Sequence, residues 1–122
     1  MKRSLLTIGV VMALLVPPTA FALLSAAANP LSGRTGPGLS ITVTKAGKKV
    51  TRLRPGRYTI TVSDRSAAHD FILNGPGIRN RRVTGLGFTG RKSITVTLRR
   101  GRYEYYCQPH RSIGMRGFFR VS

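Results

Sequence analysis

Beyond residue 40 the chain reads as a succession of short runs in which apolar and polar positions alternate. Residues 41–44 (ITVT) alternate, 45–48 (KAGK) form a turn, and 49–53 alternate again. Pro55-Gly56 punctuates before the period-two run 58–62 (YTITV), and residues 69–73 (HDFIL) begin a further apolar strand. The Gly-rich stretch 74–90 reads as a long loop; then 93–98 (SITVTL) alternate, 99–102 turn, 103–106 (YEYY) form an aromatic strand and 117–121 close the pattern. No helical period persists beyond about one turn. About seven short strands with turn signals every eight to twelve residues predict an all-β antiparallel sandwich rather than a helical or βαβ fold.

The first residues follow a different pattern. Lys2 and Arg3 precede an apolar run over 5–16 (LLTIGVVMALLV), Pro17-Pro18 interrupts it, and Ala20-Phe21-Ala22 and Ala26-Ala27-Ala28 offer small-residue cleavage sites. This is the layout of an export signal, residues 1–28, cut between 22 and 28. A retained membrane anchor is the competing reading, since 5–24 is long enough to span, but the adjacent prolines break it. Residues 29–39 (NPLSGRTGPGL) are rich in Pro, Ser and Gly and read as a flexible leader to a domain over 40–122. The expected location is the periplasm or the outer face of the cell membrane, or beyond it.

Composition narrows the chemistry. The 122 residues contain 21 Lys and Arg, only 3 Asp and Glu, one Cys and no Trp. One cysteine excludes an internal disulfide framework and a multi-thiolate zinc site. Three carboxylates and no Ser-His-Asp arrangement argue against an enzyme. Past the signal, Cys107, Met115, His69 and His110 are the only sulfur and imidazole side chains, and three of the four fall within nine residues. A thiolate, two imidazoles and a thioether make the ligand set of a blue-copper site, a Cys-His-His plane with a long axial Met. Pro109 restricts the loop between Cys107 and His110, and Gly114 lets the chain turn beside Met115.

The string 101–117 (GRYEYYCQPHRSIGMRG) resembles the C-terminal copper loop of plastocyanins and pseudoazurins, whose pattern is G-x-Y-x-[FY]-x-C-x-P-H-x-x-x-G-M. The resemblance implies the cupredoxin fold, a Greek-key β-sandwich of seven to eight strands, with one type 1 copper and one-electron transfer. It implies Cys107, His110 and Met115 as ligands and His69 as the upstream histidine ligand, with Asp70, Pro109 and Gly114 supporting them. Asp70 stands where plastocyanins usually have an Asn that ties the two ligand loops together. An Asp accepts the same hydrogen bonds and adds a charge that favours Cu(II). The segment between His69 and Cys107 is shorter than in plant plastocyanins and lacks their acidic patches.

The charge points to partners. Arg111 and Arg116 flank the ligand loop and Ile113 lies within it, so the expected docking face is an apolar patch with a basic rim. It suits an acidic redox protein or an anionic membrane surface. Two other readings stand beside a monomeric electron carrier: a copper-delivery protein with an exchangeable Cu(I) site, and a basic nucleic-acid binder. An export signal argues against a nucleic-acid partner, and charge alone does not account for Cys107, His110 and Met115.

Overall fold

The computed structural model describes residues 9–15 and 29–122. Residues 9–15 carry no regular secondary structure, and the rest of the segment read as an export signal, with its cleavage sites, lies outside the described residues. Among the described residues no helix is long and apolar enough to cross a membrane.

Ten strands follow one another: β1 (Asn29–Thr35), β2 (Ile41–Lys45), β3 (Lys48–Lys49), β4 (Arg52–Leu53), β5 (Gly56–Asp64), β6 (Phe71–Gly75), β7 (Ile78–Thr84), β8 (Gly90–Leu98), β9 (Gly101–Tyr106) and β10 (Arg116–Val121). They form two five-stranded sheets, β3-β2-β1-β5-β8 and β4-β10-β9-β6-β7. The alternation read from the sequence sets which side chains enter the space between them: along β5 the burial repeats with period two, placing Tyr58, Ile60 and Val62 inside. From the second sheet Phe71 stacks on Tyr105 and Tyr103 on Phe119, with centroids 5.9 and 5.3 Å apart. These rings lie at separations where aromatic pairs attract beyond simple area burial.

The sandwich is as expected, but it has ten strands rather than seven to eight, because short edge pieces such as β3 and β4 count separately, and four further details differ. Residues 29–35 are not a flexible leader: β1 is the middle strand of its sheet, between β2 and β5, with Leu31 and Thr35 buried. Its composition conceals it because one inward position is Gly33, where an added Cβ would come within 2.9 Å of Val62 and 3.3 Å of Phe71. The glycine is required by close packing, not by a turn. The Gly-rich stretch 74–90 contains β7, an edge strand whose run of arginines faces solvent, the usual protection of an open sheet edge. Residues 49–53 are split between β3 and β4, which belong to different sheets. Finally, β1 with β5 and β10 with β4 pair in parallel, so the sheets are mixed.

Because β5 ends, and β6 begins, at the end of the sandwich where β9 ends and β10 begins, the connections over 65–70 and 107–115 lie side by side there. Replacing Leu31 by Ala should lower unfolding stability by about 2–4 kcal/mol in denaturant titration, as for a buried core leucine. A leader outside the fold would leave the midpoint unchanged.

Candidate metal centre

His69 is set by the turn that follows β5. The Ser66 N–H donates to the Asp64 carboxylate at 3.1 Å, the Ala68 N–H to the Ser66 hydroxyl at 3.2 Å, and the His69 N–H to the Ser66 carbonyl at 3.1 Å. Cys107 follows β9 directly and caps a short 3₁₀ turn over Gln108–Ile113, with Pro109 near its first position. Proline lacks an N–H and fixes φ, which suits the first turn of such an element. The turn ends at Gly114 with φ of 96°, a left-handed conformation that a side chain would strain.

Backbone hydrogen bonds then close the loop on itself. The Cys107 N–H donates to the Met115 carbonyl and the Met115 N–H to the His110 carbonyl, both at 3.1 Å. Met115 is thereby buried beside the other loop ligands, with 1 % of its surface exposed.

Three donor atoms converge. The Nδ1 atoms of His69 and His110 are 3.1 Å apart, and the Cys107 sulfur lies 3.6 Å from the first and 3.4 Å from the second. A point equidistant from all three is about 2 Å from each, comparable to transition-metal bonds to imidazole and thiolate. Cys107 and His69 are buried and His110 is half-buried. Burial raises the Cys107 thiol pKa above its ordinary value, and the Asp70 carboxylate adds to the shift. A thiol so placed loses its proton when a cation supplies the missing charge.

The two ligand connections are bound together through Asp70. Its fully buried carboxylate accepts the Gln108 N–H at 2.7 Å, joining the residue after His69 to the residue after Cys107. Its carbonyl accepts the Thr35 hydroxyl at 3.3 Å, which adds β1 to the assembly. Arg82 of β7 lies 3.7 Å from the same carboxylate and donates to the Gln108 side chain at 2.7 Å.

The family model for copper-binding proteins of the plastocyanin/azurin family matches residues 40–122. The chain belongs to that family. This cupredoxin binds one copper ion, for which His69, Cys107, His110 and Met115 are arranged as a type 1 site. Its fold is similar to that of reduced rusticyanin, with TM-score 0.55 and 23% identity over 76% of this chain and 78% of that one. Rusticyanin from Thiobacillus ferrooxidans in a second structure gives TM-score 0.54 and 23% identity over 76% of each chain. Dithionite-reduced auracyanin from the photosynthetic bacterium Roseiflexus castenholzii gives 0.55 and 20%, over 79% of this chain and 98% of that one. No curated protein sequence matches the cupredoxin.

Pro109 and Gly114 lie in the turn between Cys107 and Met115, and Asp70 bridges the two ligand connections. Arg111 and Arg116, read as the basic rim of a docking face, both pair with Glu104. Arg111 also lies over the Tyr106 ring and Arg116 over Phe118, at 4.3 and 4.7 Å from the centroids. Sequence reasoning passed over Glu104, Arg82 and Thr35. Glu104 carried a signal: it is the one glutamate in the chain, three residues before Cys107 and buried on a strand rich in tyrosine. Nothing in the sequence pattern distinguishes Arg82 from its neighbouring arginines.

Asp70→Asn keeps an acceptor for the Gln108 N–H and removes a buried negative charge that favours oxidised copper. The midpoint potential should rise by on the order of 60 mV, a tenfold change in a one-electron couple. An unchanged or lower potential would show that the Asp70 charge is already cancelled by Arg82.

Proposed function

We propose that this cupredoxin is an exported carrier of single electrons, exchanging them with redox partners outside the cytoplasmic membrane through the exposed edge of His110. The supporting observation is the contrast within the ligand set: Cys107, His69 and Met115 are shut away from solvent while His110 alone is partly open. Copper held there supplies a one-electron couple. The chain's own residues fix the donor positions in advance, so that little has to move when charge changes, and keep water out.

Three exposed apolar side chains come from the loops at this end of the sandwich. Ile113 of the His110 loop is 64% exposed, Leu39 56% and Leu86 55%. Leu39 belongs to the connection after β1, in which an added Cβ on Gly36 would come within 3.2 Å of the His69 ring. Leu86 belongs to the connection after β7, tied back by the Gly87 N–H to the Ala67 carbonyl at 2.8 Å. With Pro109 these side chains frame a face on which a partner can seat closely. The partner's chemistry is that of an acidic redox protein, since Arg111 and Arg116 together retain net positive charge after pairing with Glu104. Export is supported by the composition of residues 1–28.

A copper-delivery protein needs a site that a chelator or partner thiol can enter. The fully buried sulfur of Cys107 and the backbone closure over Met115 disfavour that exchange. The reduced, copper-loaded protein should therefore hold its metal for hours against excess Cu(I) chelator. It should also pass electrons to an acidic redox protein at a rate that falls as salt rises. Rapid loss of copper with slow electron exchange would replace the carrier by a delivery protein, and a salt-independent rate would remove electrostatic docking.

A further inference from the structure

The three acidic side chains of the whole chain, Asp64, Asp70 and Glu104, are all buried, at 2, 0 and 6% exposure. The domain surface therefore carries cationic side chains with no acidic ones between them. The acidic partners are unevenly placed: the ion pairs of the described residues join Arg82, Arg111 and Arg116 to Asp70 and Glu104. At the end remote from the copper loop, β2 ends, β5 starts, β8 turns into β9 and β10 ends, and none of the three acids lies there.

A cleft of about 700 Å³ opens at this end, lined by Lys45, Arg52 and Arg54, with Asn29 and Ser122 at its rim. Arg52, Arg120 and Arg102 lie abreast on three adjacent strands, β4, β10 and β9, as directly paired positions. All three are exposed. Like charges placed directly opposite one another destabilise a sheet. The fold tolerates the row with no ion pair to a carboxylate, since Glu104, two positions from Arg102 on β9, is taken by Arg111 and Arg116, and Arg99 and Arg100 add to it from the β8–β9 turn.

We infer that this end is a membrane-facing surface, which takes the phosphate headgroups of an anionic bilayer and leaves the copper end pointing away from it. Two observations select a bilayer over other polyanions. The one aromatic ring lining the cleft is not available for stacking on bases, since Tyr58 is buried and donates to the Arg54 carbonyl at 2.8 Å, and the Phe118 ring beside the arginine row already carries Arg102 and Arg116 at 4.0 and 4.7 Å. Single-stranded nucleic acid is ordinarily bound by exposed rings beside such charge. The chain also enters the domain here, at Asn29, and the apolar run 5–24 ends five residues earlier in sequence. Five residues span at most about 18 Å. An uncut leader would hold this end, and no other, near the headgroups; a cut one leaves the charge argument intact. The surface does not depend on the electron-transfer reading, because it uses no residue of the copper site.

The test is co-sedimentation of the copper-loaded protein, as the producing cell makes it, with vesicles of phosphatidylcholine alone or with one quarter phosphatidylglycerol. Binding to the anionic vesicles should exceed binding to the neutral ones and fall away as salt shortens the Debye length from about 14 Å towards about 4 Å. A triple variant Lys45→Gln, Arg52→Gln, Arg54→Gln should weaken the anionic binding on the order of a hundredfold, about fivefold per cation. A matched triple from the other half of the domain, Arg34→Gln, Arg65→Gln, Arg91→Gln, should weaken it less than tenfold. The visible copper spectrum and the thermal midpoint establish that both variants are folded. Equal loss from the two triples would reduce the effect to net charge and overturn the proposal. So would equal binding to both vesicle types, or displacement from vesicles by single-stranded DNA at matched phosphate.

Discussion

The hydrogen bond from the Gln108 backbone to the buried Asp70 carboxylate is the constraint from which the site follows. Asp70 adjoins one ligand and Gln108 another, 38 residues away, so a single charge-assisted bond fixes His69 against Cys107. The β6–β9 ladder continues it directly, with Ile72 opposite Tyr106 and Leu73 opposite Tyr105. Inside the sandwich Tyr105 stacks on Phe71, so the same two strands that carry the ligands also anchor the core. Thr35 adds the other sheet through the Asp70 carbonyl. A carboxylate in this place needs neighbours that favour its charge, and Arg82 and the Gln108 N–H provide them.

The second half of the ligand loop is held from the outer face of the sheet. Glu104 lies on β9 and pairs with Arg111, next to His110, and with Arg116, next to Met115. One carboxylate thus grips the loop on both sides of its turn, and the guanidinium groups cover Tyr106 and Phe118. The use of Asp64, Asp70 and Glu104 inside the domain has a consequence outside it: beyond Arg82, Arg111 and Arg116, no surface cation among the described residues has an acidic partner. The rigidity of the copper end and the unrelieved charge of the other end come from the same distribution of three residues.

Period-two alternation made most of the sandwich legible, because β2, β5 and β8 each bury one face only. It failed where the inward position was not a large apolar residue. In β1 Gly33 fills such a place, and in β7 the edge position leaves four successive residues exposed. It could not find the parallel pairings either, since strand order depends on packing between distant segments. The ligands were legible because cysteine, methionine and histidine are scarce in this chain and three of them cluster in the loop. Their supports were less so. Asp70 stood beside a ligand and could be read, whereas Glu104, Arg82 and Thr35 act through contacts that only the folded chain brings together.

The central claim is that Cys107, His69 and His110 hold copper as one compact set with Met115 beside them. Addition of one equivalent of Cu(II) to the metal-free protein, followed by visible absorption and electron paramagnetic resonance, tests it most directly. The account predicts an intense blue thiolate band with a narrow copper hyperfine splitting. A pale spectrum with the wide splitting of ordinary Cu(II), or no uptake, would contradict it and return Cys107 to the role of a buried core residue.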